Sequence, residues 1–453
     1  MSALIDKLFV KDKHFYKTIL FLALPIVAQN MITIGVNIMD TIMLGSYGEI
    51  QLSGSSLAND FINIFHILCM GMGGGAAVLT AQFWGAGDRE SIRKAVTIML
   101  RICMSIVAAF TLVTVFFPAQ IMSIFTNDEE VIAKGVIYFR WSIPQYFLLG
   151  ISLTLTMILR SLRKVSVPLI TSIISFFVNI GCNYIFIFGK LGFPEMQIAG
   201  AALGTVCARV VEVLIIGGYF FVVEKDIGYR LRDFFKPCGD VLSRYLKYSF
   251  PVICSDALLA IGNSMVSIII GHISTEFVAA NAIIATIVRL CTVFTQGLGQ
   301  AASTITGNTL GEGDRERTYR QGVTMVTLSA IIGVLAGGII LVLAPWIIDM
   351  YQITEVTRKV AWELMYAVVI MVVFQSMQGV LTKGILRGGG DTKFCMFADA
   401  AFLWVLSIPL GALCGLVLHA NPFVIYIALK IDWAVKSIVC LWRVKSRKWM
   451  RRV

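Results

Sequence analysis

Charge is what this sequence has least of. Asp, Glu, Lys and Arg make up 14% of its 453 residues, against about a quarter in an ordinary soluble chain. That excludes a conventional water-soluble protein. Histidine is nearly missing as well: His14, His66, His272 and His419 are scattered over the chain. No HExxH, HxxxxD or DxD motif occurs, so the convergent catalytic set of a membrane-embedded acyl or glycosyl transferase is lacking, and the chain is expected not to be an enzyme. No GxxxxGKS/T motif occurs, so direct ATP drive is not expected. The glycine run GMGGGAAVLT at 71–80 lies inside an apolar span, where small residues let helix backbones approach closely. The start, MSALIDKLF, lacks an apolar h-region, so no cleavable leader is expected. The 10 cysteines sit almost entirely in apolar segments with no paired spacing. They read as small buried hydrophobes, not as disulfides or a metal site.

What the chain does have is apolar. Hydrophobic residues reach 57% and the mean hydropathy is +0.82. Blocks such as 98–117, 332–345 and 402–418 are nearly free of charge. A helix of about 20 apolar residues crosses the hydrocarbon core, so the fold class is an all-α polytopic membrane protein in a lipid bilayer. Twelve spans are predicted, at 16–44, 54–83, 94–117, 131–159, 166–188, 198–222, 246–271, 277–309, 321–344, 360–386, 394–418 and 423–442. The polar tract 225–245 reads as a linker between an N-terminal six-helix lobe, 1–224, and a C-terminal one, 246–453. The net charge of +11 resides in loops, so nucleic acid is not expected as a partner. Lys and Arg crowd the termini and the loops that follow even-numbered spans, while the opposite loops hold only Lys134, Lys190, Arg358 and Lys359. This bias predicts both termini in the cytoplasm.

The sequence QFWGAGDRE at 82–90 returns as NTLGEGDRE at 308–316, 226 positions later. Over 71–90 against 297–316, nine of twenty positions are identical, and Pro25, Asn37 and Gly45 meet Pro251, Asn263 and Gly271. One residue further in offset, Ile158-Leu159-Arg160 meets Ile385-Leu386-Arg387. Six spans per half is an even number, so the halves are parallel repeats, an arrangement of transporters that bind substrate between two lobes. Within GxGDRE, Gly85 and Gly87 can take positive φ and end a helix, and Asp88 can cap the next one. The motif is either a tight turn of a helical hairpin or a cytoplasmic latch.

Ionisable residues inside spans are costly and mark function. Span 1 carries Gln29, Thr33, Asn37 and Asp40 at i, i+4, i+8 and i+11, one helix face. Span 5 repeats the idea with Ser172, Ser175, Asn179 and Asn183. A carboxylate facing amides in an enclosed space suits a coupling cation. Sodium takes oxygen ligands, and a proton needs a carboxylate whose affinity burial has raised. Plain interhelical hydrogen bonding, worth about 0.6–2 kcal/mol per contact, is the alternative. Asp40 is the first candidate for the coupling site, with Asn37, Asn179 and Asn183 beside it and Gln29, Thr33 and Ser175 as cavity wall. Asp60, Asp256 and Asp399 are further candidate carboxylates. Asp256 and Arg289, both near mid-membrane, could form a structural ion pair or a binding site. Arg209 and Glu212 are three apart on one face. Lys430 and Asp432 are two apart and need other partners.

The segments LPIVAQN and MDTIMLG in span 1, LTAQFWGAGDRESIRKAV across spans 2 and 3, VNIGCNYIFIFG in span 5, KGILRGGGDT after span 10 and DWAVKSIVCLWRVKSRKW in span 12 resemble, in this order, a bacterial member of the multidrug and toxic compound extrusion (MATE) family. The resemblance runs nearly end to end. It implies twelve helices in two lobes around a central cavity, location in the inner membrane of a bacterium, and export of organic, often lipophilic cations in exchange for sodium or protons. No cofactor beyond the coupling ion is implied, no metal beyond sodium at Asp40, and a monomer is expected. Asp40 matches the family's span-1 aspartate tied to coupling, and Asn179 an asparagine near it. Asn183 stands where some relatives carry an aspartate. Ser376 stands where some carry one in span 10, and Asp256 loosely matches an acidic residue of span 7. These departures favour a cation site in the N-terminal half. An exporter of an endogenous metabolite or a flippase for a lipid-linked precursor is the competing reading. A precursor pyrophosphate would call for several cavity cations, and mid-span Arg and Lys are few.

Overall fold

The computed structural model describes residues 9–350 and 353–452. Residues 1–8, nearly all of the stretch read above for a leader, lie outside the described residues. No strand occurs among the described residues. Long helices follow one another: α1 Lys13–Gly45, α2 Glu49–Gly85, α3 Arg89–Phe116, α4 Glu129–Ser161, α5 Ser166–Phe188 and α6 Ile198–Val223. After the linker come α7 Gly239–Ile273, α8 Thr275–Gly311, α9 Arg315–Met350, α10 Glu355–Leu386, α11 Thr392–Val417 and α12 Pro422–Lys445.

Ten of the twelve predicted spans fall inside one of these helices, and the spans 94–117 and 394–418 run one residue past the ends of α3 and α11. Eleven are long and apolar enough to cross a membrane by length and composition. The remaining one, α12, carries Lys430, Asp432 and Lys436 within 24 residues, and its charges are used inside the bundle. A short helix, Pro118–Phe125, was not foreseen; its proline sits in the first turn, where no amide hydrogen is needed. α7 begins at Gly239, so helix extends into the predicted linker tract 225–245. What precedes it contains one 3-10 turn, Leu231–Phe235.

The contacts divide the chain into two compact units. One holds Ala28–Thr80 and Asp88–Ser249; the other holds Met1–Val27, Ala81–Gly87 and Phe250–Val453, within the described residues. In the first, the glycine run of α2 is packing surface, as its place in a span suggested. A Cβ on Gly75 would lie 2.3 Å from the Ser249 Cα, and one on Gly73 2.9 Å from Met157 Cγ. Phe61, Phe65, Phe110 and Tyr146 cluster beside it, with ring centroids 5.2–6.0 Å apart.

In the second unit, residues of α7 to α12 form an aliphatic core around Ile284, Ile340, Leu364 and Leu429, all fully buried. The segment after α12 folds back onto the turn between α10 and α11. Trp449 is fully buried, the Arg451 amide donates to the Gly389 carbonyl at 2.8 Å, and the buried Asp391 receives Arg443 at 2.7 Å and Arg451 at 3.0 Å.

Both copies of GxGDRE form the same turn. Asp88 accepts from the Ser91 amide at 3.0 Å and Asp314 from the Arg317 amide at 2.9 Å, so each aspartate caps the following helix. The glycines divide the work differently from expectation. Only the second of each pair takes positive φ, +74° at Gly87 and +93° at Gly313. Gly85 and Gly311 are needed for close approach instead. A Cβ on Gly85 would lie 1.9 Å from the Asn308 carbonyl oxygen, and one on Gly311 2.1 Å from that of Gln82. The repeat offset exchanges Gly85 with Gly311 and Gln82 with Asn308, so the crossing is reciprocal.

Backbone cannot swing aside as a side-chain tip can. Gly85→Ala is therefore expected to cost at least the 1–3 kcal/mol typical of overpacking. Gly87→Asn, with nothing within 4 Å and a side chain that tolerates left-handed backbone, should cost a few tenths. Thermal unfolding of the two purified variants checks this; equal losses would contradict the assignment.

Candidate cation site and buried charge chain

In the first unit, α1 and α5 bring Asp40 and two asparagines together. The Asn183 amide donates to Asp40 Oδ1 at 2.5 Å and to Asn179 Oδ1 at 3.3 Å. Asn179 and Asn183 are one turn apart on α5 and buried to 2% and 0% exposure, whereas Asp40 is half-buried. Gly204 of α6 makes the room: a Cβ there would lie 2.1 Å from Asn183 Oδ1. One amide group thus holds two oxygen acceptors, the Asp40 carboxylate and the Asn179 carbonyl. Asp40 makes no salt bridge among the described residues. Arg209 of α6 acts on it electrostatically, but its guanidinium is taken up by Glu212 at 2.5 Å, the local pair its spacing suggested. The arrangement can accept a sodium ion on hard oxygens or a proton on the carboxylate.

The rest of the α1 face separates. Gln29 is buried, donates to Ser172 Oγ at 3.0 Å and accepts from Arg160 at 2.5 Å. Thr33 and Asn37 are exposed, and Thr33 bonds its own helix at the Gln29 carbonyl. Asn37 is not brought onto Asn183. Ser175 reaches the Ala208 carbonyl at 3.4 Å, an α5–α6 contact. Asp60 is exposed. One group is not foreseen from the sequence. Tyr138 of α4 is buried, receives Asn59 at 3.1 Å and lies within the electrostatic reach of Asp40. Only the neighbourhood of Asn59 to Asp60 hinted at it.

In the second unit the charges form a chain. Arg387, just after the π-helical turn Val380–Leu386, binds Asp256 at 2.9 Å and lies 3.7 Å from Asp399. Lys436 bridges Asp399 at 3.3 Å and Asp432 at 3.1 Å. Ser255 donates to Asp399 at 2.6 Å, and Ser407 to Asp432 at 3.0 Å. Of the two roles left open for Asp256 and Arg289, the ion pair between them does not form: Arg289 is exposed, and Arg387, 131 residues away from Asp256, is its partner. The partners left open for α12 are also found. Asp432 pairs with Lys436 one turn on, and Lys430 lies over the Trp433 ring at 5.1 Å.

The two units repeat this connectivity with different charge. Arg160–Gln29–Ser172 in one corresponds to Arg387–Ser255–Asp399 in the other, at offsets of 226 and 227. Asn30 corresponds to Asp256. Asp256, Asp399 and Asp432 of the second unit are matched by internal cations, while Asp40 faces the Asn183 amide.

The MatE family model matches residues 25–185 and again 251–413, one match in each half. A probable multidrug resistance protein NorM of Agrobacterium fabrum is 26% identical over 416 residues, covering 88% of each chain. A protein of the same description from Thermotoga maritima is 26% identical over 451 residues, covering 96% of this chain and 93% of its own. Among solved structures, a MATE protein in a straight conformation aligns with a TM-score of 0.86 at 20% identity, over 95% of this chain and 96% of that one. A MOP superfamily transporter from Pyrococcus furiosus aligns at 0.85 and 20%, with the same coverage. Two matches of one family model, each falling on a six-helix half, make this chain a member of the MATE family of efflux transporters.

Proposed function

We propose that this protein is a secondary antiporter that exports amphipathic, often lipophilic organic cations in exchange for sodium or protons, with Asp40 as the coupling carboxylate. The observation that carries the reading is the setting of Asp40: a carboxylate held by the neutral amide of Asn183, with no side-chain cation in salt-bridge contact among the described residues. The chain sits in the inner membrane of a bacterium as a monomer, with both termini in the cytoplasm, as its basic loops favour. The relatives' description as multidrug resistance proteins supports the cargo class.

The cycle follows from linkage. A ligand shifts a conformational equilibrium only by its difference in affinity for the two states. Sodium or a proton arriving at Asp40 removes the negative charge that the site offers, and the α1–α5 contact through Asn183 changes with it. Drug affinity falls in that state, the drug leaves, and the two halves rock back without it.

The test is ethidium efflux from energised, efflux-deficient cells. Cells carrying the protein are expected to clear ethidium several-fold faster than cells carrying the empty vector. Well-expressed protein that moves neither ethidium nor other organic cations would overturn the cargo assignment.

A further inference from the structure

The tract before α7 has two unlike sides. Inward, it is pinned to the first turns of α3. The Tyr229 hydroxyl meets Thr97 Oγ1 at 3.0 Å, Thr97 Oγ1 donates to the Asp233 carbonyl at 3.1 Å, and Arg101 donates to the carbonyls of Phe234 at 2.9 Å and Lys236 at 2.8 Å. Tyr229, Asp233 and Cys238 are buried. Outward, Leu231 is 70% and Phe235 82% exposed, at the two ends of the 3-10 turn and flanked by the exposed Arg230, Arg232 and Lys236. Apolar side chains beside cations, at the ends of membrane-spanning helices, match the layer where acyl chains meet headgroups.

Between this tract and α3 lies a cavity of about 450 Å³ lined by Glu90, Arg93, Lys94, Thr97, Asp233, Lys236, Pro237 and Cys238. Its carboxylates are already engaged. Lys94 holds Glu90 at 2.9 Å and Asp240 at 2.8 Å, and Lys236 holds Asp233 at 2.5 Å. Burial alone would raise the Asp233 carboxyl, but the hydrogen bonds from Lys236 and the Arg230 amide and the nearby charges of Lys236 and Arg93 together outweigh it and hold the group below the ordinary range, so that pair stays charged. Arg93, Arg230 and Arg232 meet no carboxylate in salt-bridge contact among the described residues. The corner therefore has three guanidinium groups in excess of its acids.

We infer that the corner between α3 and residues 229–238 binds the phosphate headgroup of an anionic phospholipid, with Leu231 and Phe235 set among its acyl chains. Arg93 faces the headgroup from the cavity, and Arg230 and Arg232 face it from the rim. The inference needs only that the chain spans a bilayer, so it stands apart from the antiport reading.

The test uses the purified full chain in detergent, offered equal amounts of phosphatidylglycerol and phosphatidylcholine, with retained lipid counted by native mass spectrometry. Phosphatidylglycerol should be retained in preference. Arg93→Gln, Arg230→Gln and Arg232→Gln should each weaken that preference about five-fold, the effect of one basic residue at an anionic surface, and together abolish it. Leu231→Ser with Phe235→Ser should lower retention of both lipids. These side chains do not build the core, so unchanged thermal unfolding is expected of all variants. Equal retention of the two lipids by the wild type, or an undiminished preference in the triple variant, would overturn the inference. So would complete displacement of phosphatidylglycerol by excess inorganic phosphate, which would mark a site for free anions.

Discussion

Asp40→Asn is expected to bring ethidium efflux in energised cells down to the empty-vector rate while leaving expression and thermal stability near those of the wild type. The asparagine keeps the size of the side chain and can still accept the Asn183 amide at the position of Asp40 Oδ1. What it loses is the charge. Truncating one member of a buried, hydrogen-bonded charge pair costs about 2–5 kcal/mol, here the pair formed with the incoming cation. That is a factor of roughly 30 or more in occupancy, enough to uncouple transport. Stability should hardly fall, because Asp40 makes no salt bridge that the substitution breaks. A variant that clears ethidium at the wild-type rate, at equal expression, would remove Asp40 from the coupling step.

Lys436→Met is expected to act in the opposite way, on stability first. Lys436 is 1% exposed and lies between Asp399 and Asp432, themselves 2% exposed. Methionine fills a similar volume but removes the ammonium, which leaves Asp432 with no salt-bridge partner among the described residues and Asp399 with only Arg387 at 3.7 Å. Removing one partner of a buried pair typically costs 3–5 kcal/mol, because a buried charge is left uncompensated. Lys436→Met should therefore lower the unfolding temperature in detergent markedly. Adding Asp432→Asn, which removes one of the stranded charges while Ser407 still has an acceptor, should recover part of the loss. An unchanged unfolding temperature for Lys436→Met would mean that the chain from Asp256 to Asp432 is not a structural ion chain.

Some of this was legible in the residues. Apolar runs located the helices because a spanning segment must satisfy its backbone internally, and the repeated GxGDRE exposed the duplication. The amide-and-carboxylate cluster of Asp40, Asn179 and Asn183 was visible because helical spacing puts each set on one face. Asn37 shares the Asp40 face by spacing yet stays apart from the asparagines, since periodicity fixes a face and not the neighbour it meets. The role of Gly85 was misread for a related reason: the turn is local, but the backbone it must accommodate, at Asn308, is 223 residues away. Arg387 as the partner of Asp256 was equally hidden. Mid-membrane depth made Arg289 an equal candidate, and only packing decides which arginine points inward. The charges of α12 obscured its hydropathy while revealing, once folded, why they are tolerated.

The most direct test of coupling at Asp40 is ethidium binding to the purified protein, titrated separately with sodium and with acid, in wild type and Asp40→Asn. One of the two cations is expected to weaken ethidium binding to the wild type and to leave binding to Asp40→Asn unchanged. A wild type whose ethidium affinity responds to neither cation, or a variant that responds as the wild type does, would contradict coupling at Asp40.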